Sequence, residues 1–257
     1  MMGILEKIIK AKEEEVELLK KVPFSPPHCY LARREFKAAL LSEEIALIGE
    51  LKKCSPSAGM IREDFHPESL AMEMEEGGAK AISVLTDSKF FCGSLHYLPI
   101  VKMKTGLPVL MKDFVIDEFQ IELASQMGAD AILLIARCLS RDKLAEFLNI
   151  AKGKGLDCLV EIFDENDWEK IKELPVEIVG INSRDLRNFQ VSFERIQNLR
   201  RLLPEEVLIV AESGIKERRQ IEELRRVGIR AFLVGEALMK ARDIKAKIRE
   251  LLGDVEG

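Results

Sequence analysis

The chain has 257 residues, enough for one large domain or two small ones with a sizeable core, and it is 47% apolar and 32% charged. Its 44 acidic and 39 basic residues are interspersed and leave a net charge of −5, which argues against a general nucleic-acid-binding surface. No apolar run approaches the roughly 18 residues of a membrane span, and the N-terminus has neither signal-peptide nor transit-peptide architecture, so a cytoplasmic protein with no membrane partner is expected.

The opening segment, ILEKIIKAKEEEVELLKKV, carries helical periodicity, and PFSPPHCY breaks it. Residues 1–45 are therefore expected to form an N-terminal helical extension with a linker. Its charge run reads as a solvated helix face, with a lid over one end of the following domain as the alternative.

Eight short apolar runs follow in order. They are ALIGEL from Ala46, GAKAISVLT from Gly78, LPVLMK from Leu107, GADAILLIA from Gly128, DCLVEIF from Asp157, VEIVGIN from Val176, EVLIVAES from Glu206 and GIRAFLVGE from Gly228. Three of them begin alike, with a Gly that ends a helix-like stretch and runs straight into four or five apolar residues. That is the αβ turn of a βα unit. The runs lack polar alternation, as strands buried on both faces do. Amphipathic segments such as FQIELASQMG and ERRQIEELRRVG lie between them. Eight such units predict an α/β fold, a single (β/α)8 TIM-barrel domain over residues 1–257 with the helical extension at 1–45. An open doubly wound sheet would need a G-x-G-x-x-G after its first strand, and none is present.

In such a barrel the loops after the strands make the active site, so the residues closing each run carry the functional reading. Glu50 and Lys52 share a face with Ile48 at the end of the first run, either at the top of the lumen or as an exposed ion pair. Ser55-Pro56-Ser57-Ala58-Gly59 is turn chemistry that could also cover a ligand. Phe90 and Phe91 beside Gly93 are core, or one wall of an aromatic-binding pocket. Lys112 shares a face with Leu110. Glu161 sits among apolar residues, where a carboxylate must be paired or functional. DEND, from Asp164, is an ordinary helix N-terminus. Asn182 and Arg184 share a face, and loop hydrogen bonding is the alternative. Gly214 and Gly235 each stand before a helix-like segment, at the two strands where these barrels bind phosphate. Together these residues imply a phosphorylated small substrate and acid–base chemistry with no metal or cofactor. The five cysteines are odd in number and lack a C-x-x-C, so buried thiols are expected rather than a disulfide framework or a zinc site. The three histidines lack ligand spacing.

Taken in this order, GELKKCSPSAG, FFCGS, PVLMKDF, GADAILLI, GINSRDL, VAESGI and FLVGEALM resemble the indole-3-glycerol-phosphate synthase family of tryptophan biosynthesis. The resemblance runs from about Ala46 to Ala241 and includes the helical extension. It implies closure of an indole ring from 1-(2-carboxyphenylamino)-1-deoxyribulose 5-phosphate, with loss of CO2 and water. By the same resemblance Lys112 is the general acid at the ketose carbonyl, and Glu161 serves the later dehydration. Glu50 and Asn182 orient the reacting hydroxyl, and Lys52 bridges substrate anions. Ser213, Gly214, Gly235 and Glu236 match the phosphate turns. Phe91 and Phe114, with Pro56, match the walls around the ring, Ser55 of the same loop is expected to bind substrate, and Arg184 is similar to an arginine near the carboxylate. A lysine of lowered pKa and a carboxyl of raised pKa would serve this chemistry near neutrality. Cys54 and Cys92 depart from the family, which commonly has small residues there, and Glu236 stands where the family often has a small hydroxyl residue, so its carboxylate must turn away from a phosphate it would repel. A monomer is expected. The rivals are a barrel lyase using Lys112 as a Schiff base and a non-catalytic phosphate-ligand sensor.

Overall fold

The computed structural model describes residues 3–22, 31–185 and 190–254. The PFSPPHCY break, with His28 and Cys29, lies outside the described residues. Eight parallel strands close into a barrel: β1 (Ala46–Leu51), β2 (Ala81–Leu85), β3 (Val109–Lys112), β4 (Ala131–Ile135), β5 (Asp157–Ile162), β6 (Ile178–Asn182), β7 (Leu208–Glu212) and β8 (Ala231–Val234). Each pairs with its sequence neighbours, and β8 closes the ring on β1 with Ala46 opposite Ala231 and Ile48 opposite Leu233. All eight runs read from the sequence are barrel strands.

Twelve α-helices accompany them among the described residues. Two precede the barrel, α1 (Ile4–Leu19) and α2 (Phe36–Leu41). The others are α3 (Pro67–Gly77), α4 (Ser88–Phe91), α5 (Tyr97–Lys104), α6 (Glu118–Gln126), α7 (Arg141–Gly153), α8 (Glu165–Ile171), α9 (Phe193–Arg200), α10 (Arg218–Arg225), α11 (Glu236–Lys240) and α12 (Ile244–Leu252). None of the described helices is long and apolar enough to cross a membrane. The three repeat glycines, Gly78, Gly128 and Gly228, all take the left-handed conformation, with φ of 104°, 84° and 87°. That conformation disfavours any residue with a Cβ, and it turns each preceding helix back towards the next strand.

Strand periodicity sorts the apolar residues into two cores. Ala46, Ile48, Leu110, Leu133, Leu159, Val210 and Leu233 fill the lumen, while Leu47, Ile82, Met111, Val160, Ile209 and Phe232 pack outwards against the helices. Both faces are dry, which is why no alternation shows in the sequence. Phe36 and Leu40 of α2 join the lumen core at the strand starts and stopper the N-terminal mouth.

The charge run of the extension is a solvated helix face as expected, with Glu6, Lys7, Lys10, Glu13, Glu14 and Glu17 exposed, and Lys12 is the exception. Ile8, Lys12 and Val16, one helical turn apart, are buried along one side of α1, and Ile4 and Ile8 line a cavity at the opposite, C-terminal mouth. The helix is the lid, because its apolar stripe has the barrel mouth to cover. The expectation of free thiols is corrected for one pair. Cys54 and Cys92 are joined in a disulfide with a Cα separation of 5.7 Å. Cys54 begins a small hairpin, Cys54–Ser55 against Gly59–Met60, and Cys92 ends α4. Only the packing of these two loops brings together cysteines 38 residues apart. Cys138 and Cys158 are free and partly buried, and burial pushes both thiols up to about 12.

Beside the stopper, Asp130 ties the lower rim together. Its carboxylate accepts from the Arg34 backbone N–H at 2.7 Å, from the Val109 N–H at 2.8 Å and from Lys102 Nζ at 2.6 Å. Both Lys102 and Asp130 are buried. Replacing one partner leaves the other charge uncompensated, so Asp130→Ala is expected to lower stability by about 3–5 kcal/mol, read from the midpoint of a denaturant titration.

Candidate active site

The period of two that puts Ile48, Leu110, Leu159 and Val210 in the lumen carries on to the strand ends, where the inward positions turn polar. Glu50 follows Ile48, Lys112 follows Leu110, Glu161 follows Leu159, and Glu212 follows Val210. All four line the C-terminal cavity, a space of about 130 Å³, together with Lys52, Asn182 and Arg184.

Lys112 Nζ stands among three carboxylates: Glu212 at 3.5 Å, and Glu50 and Glu161 at 3.9 Å each. Lys52 Nζ pairs with the remaining oxygen of Glu50. These carboxylates are almost dry, with side chains 3% exposed for Glu50 and 2% for Glu212. Burial alone would push the Lys112 ammonium down, but Glu212, Glu161 and Glu50 outweigh it and raise it above its ordinary value. Burial likewise works against Glu50, but Lys52 and Lys112 overcome it and hold the carboxyl below the usual range. Glu212 goes the other way. Burial, reinforced by Glu161 and Glu50, pushes it up to about 8 against the pull of Lys112. Its Oε1 has no hydrogen-bond partner and lies against Gly180, where a Cβ would collide with it.

The expected lysine of lowered pKa is thus corrected for Lys112, because its neighbours are carboxylates that favour the charged form. Glu212 was missed. The inward alternation Leu208, Val210, Glu212 is its signal.

The cavity walls are built by loops. Phe91, at the end of α4, and Phe114, just past β3, face each other with ring centroids 6.1 Å apart and planes at 36°. Ser55 and Pro56, from the hairpin after β1, complete that side. Ser55 Oγ accepts from the Ala58 N–H at 3.2 Å, so it also ties its own turn. On the far side lie Ser213, Gly214, Gly235 and Glu236. Ser213 and Gly214 both take positive φ, 70° and 78°. Gly235 must be bare: a Cβ there would strike the Glu50 carboxylate and come within 3.0 Å of Lys52 Nζ. The Glu236 carboxylate is engaged by Lys240 at 2.7 Å and Arg184 at 3.5 Å, and Lys240 foremost holds it below the usual range. Asn182 Oδ1 accepts from the Arg184 N–H at 3.0 Å, so this asparagine both lines the cavity and fixes its loop.

One expectation about the turns fails. Gly214 does not open a helix. Ile215, Lys216 and Glu217 intervene, and α10 starts at Arg218 behind its own capping box of Glu217 and Gln220. Only Gly235 stands at a helix N-cap, that of α11.

A closed parallel barrel with charged groups gathered at its C-terminal mouth defines a (β/α)8-barrel enzyme. The fold is shared with a thiamine phosphate pyrophosphorylase from Pyrococcus furiosus (TM-score 0.62, 16% identity, 83% of this chain and 96% of the other). It is shared equally with the N-acetylmannosamine-6-phosphate 2-epimerase from Clostridium perfringens (TM-score 0.62, 13% identity, 91% and 100%). In sequence, the family model for indole-3-glycerol phosphate synthase matches residues 5–251. Relatives named indole-3-glycerol phosphate synthase include those of Endomicrobium trichonymphae, 43% identical over 96% of this chain and 99% of the relative, and Geobacillus sp. (strain WCH70), 44% identical over 98% of each. The chain belongs to the indole-3-glycerol phosphate synthase family.

The raised Glu212 carboxyl makes stability depend on pH. Its folded value of about 8 lies above the ordinary 4.5, so the folded state holds a proton that the unfolded chain releases. That contribution is complete below 4.5 and is lost as pH rises to about 8. Over this window the melting temperature of the parent is expected to fall relative to that of Glu212→Gln, measured by thermal unfolding at a series of pH values.

Proposed function

We propose that the chain catalyses the ring closure of 1-(2-carboxyphenylamino)-1-deoxyribulose 5-phosphate to indole-3-glycerol phosphate, CO2 and water, as a carboxy-lyase of tryptophan biosynthesis. The observation that carries this is the position of Lys112: a buried ammonium among three carboxylates, beneath a phenylalanine pair on one side and the Gly214 and Gly235 turns on the other.

The residues suit the steps. The substrate's anilino nitrogen pushes electrons into its ring, and loss of CO2 restores aromaticity, so the protein has only to move protons and hold the chain. Lys112 gives its proton to the ketose oxygen as the ring carbon attacks the carbonyl carbon. The neighbouring carboxylates keep this lysine charged, as a general acid must be. The same charge disfavours the Schiff-base rival, which needs a neutral amine. Glu161 then serves as the acid–base group that removes the hydroxyl as water and takes the ring proton. Glu50 and Asn182 orient that hydroxyl, and Glu212, held protonated by its burial, is a further proton source on the same ammonium. Lys52 bridges substrate anions. Phe91, Phe114, Ser55 and Pro56 enclose the aromatic ring, with Arg184 near its carboxylate. Ser213, Gly214, Gly235 and the backbone of Glu236 cradle the phosphate, the Glu236 side chain being drawn to Lys240 and Arg184.

The test is to mix the protein with the anilino-ribulose phosphate and follow the rise of indole fluorescence. No fluorescent product, or a borohydride-trapped covalent adduct on Lys112, would refute the proposal. Lys112→Ala is expected to reduce turnover by about two orders of magnitude or more, while fluorescence titration shows substrate still bound.

A further inference from the structure

Lys12 lies in α1, far in the chain from the strand-end groups of β3 onwards, yet it is one of the most deeply buried side chains, 1% exposed. It contributes nothing to the acid–base cluster. Its ammonium bridges two aspartates from different loops, Asp113 at 2.8 Å and Asp87 at 3.0 Å, with Glu15 of its own helix at 2.9 Å.

Each aspartate holds one half of the aromatic wall. Asp87 caps α4: its Oδ1 accepts from the Phe90 N–H at 2.7 Å, and its backbone carbonyl accepts from the Gly93 N–H at 2.8 Å. Phe91 lies between those two anchors. Asp113 follows Lys112 directly, and its Oδ1 accepts from the Phe114 N–H at 2.7 Å. Its Oδ2 accepts from Thr86 Oγ1 at 2.5 Å, tying the β2 loop to the β3 loop a second time. Both aspartates are buried, so without a cation between them they would repel each other and spread the two loops. The lysine reaches them from the helix whose Ile4 and Ile8 roof the same cavity.

We propose that Lys12 is a positioning residue that sets the width of the aromatic pocket, clamping the Phe91 and Phe114 loops together beneath the α1 lid. The proposal rests on the reading above that this pocket receives the substrate's carboxyphenyl ring. Substrate binding depends on that width, whereas the proton transfers at Lys112 and Glu161 take place further inside the lumen. Loss of the clamp therefore falls on KM rather than on kcat.

The experiment uses the full chain with Lys12→Met and Lys12→Arg, and has two arms. In kinetics with the anilino-ribulose phosphate, Lys12→Met is expected to raise KM by about tenfold, a typical loss for an imperfect apolar pocket, with kcat within about twofold of the parent. Lys12→Arg, which restores a cation between the aspartates, brings KM most of the way back. In hydrogen exchange, the Phe90 and Phe114 amides exchange faster in Lys12→Met and recover in Lys12→Arg. Asp130→Asn, at the opposite end of the barrel, controls for general destabilisation and is expected to move neither readout. If Lys12→Met does not fold, Lys12→Met/Asp113→Asn carries one buried charge fewer and replaces it, with the Phe90 amide as the exchange probe. Unchanged exchange at these amides, a KM equal to the parent's, or an equal KM rise in Asp130→Asn would overturn the proposal. A parent that does not turn over the substrate, with the exchange results as expected, would instead count against the proposed function and leave the clamp standing.

Discussion

The structure turns on a lysine ammonium held in a dry lumen by three carboxylates. Charges are expensive to bury singly, and three carboxylates in one apolar barrel would not stay ionised without a cation. Lys112 supplies that cation within reach of Glu50, Glu161 and Glu212, and Lys52 pairs with Glu50 from the rim. The arrangement is not symmetric. Glu50, with two lysines, is kept ionised, while Glu212, driven by burial and by the neighbouring Glu161 and Glu50, is pushed towards its protonated form. One environment thus holds an acid and a base side by side, the requirement for moving protons in both directions near neutral pH.

Around this cluster the loops are tied more firmly than surface loops need to be. The hairpin after β1 is joined to the end of α4 by Cys54–Cys92. The loops after β2 and β3 meet through Asp87, Asp113 and Thr86. The lid helix enters this network through Lys12. A pocket bounded by such ties keeps its width without substrate, and less binding energy is then spent on ordering it. At the other mouth Phe36 and Leu40 pack into the lumen core and close its lower end.

Most of the architecture could be read from the chain. Eight apolar runs without alternation, separated by amphipathic segments and three helix-ending glycines, specify local structure strongly, because each choice depends on near neighbours. The inward direction of Glu50, Lys112 and Glu161 was legible for the same reason: strand parity is a local rule, and an apolar residue two positions earlier reports it. Glu212 obeyed that rule and could have been found by it.

What the sequence alone determined, then, is the fold class, the strand ends that carry charge, and the family motifs. Only tertiary structure decided which charges meet. That Lys112 is surrounded by carboxylates and not by lysines depends on the stagger of strands β1, β3, β5 and β7 around the ring. That Cys54 reaches Cys92, and Lys12 reaches Asp87 and Asp113, depends on loops and a helix docking across tens of residues. Local periodicity fixes the side on which a residue lies. The electrostatic environment there is a sum over groups brought in from the whole chain, and no short stretch of sequence contains it.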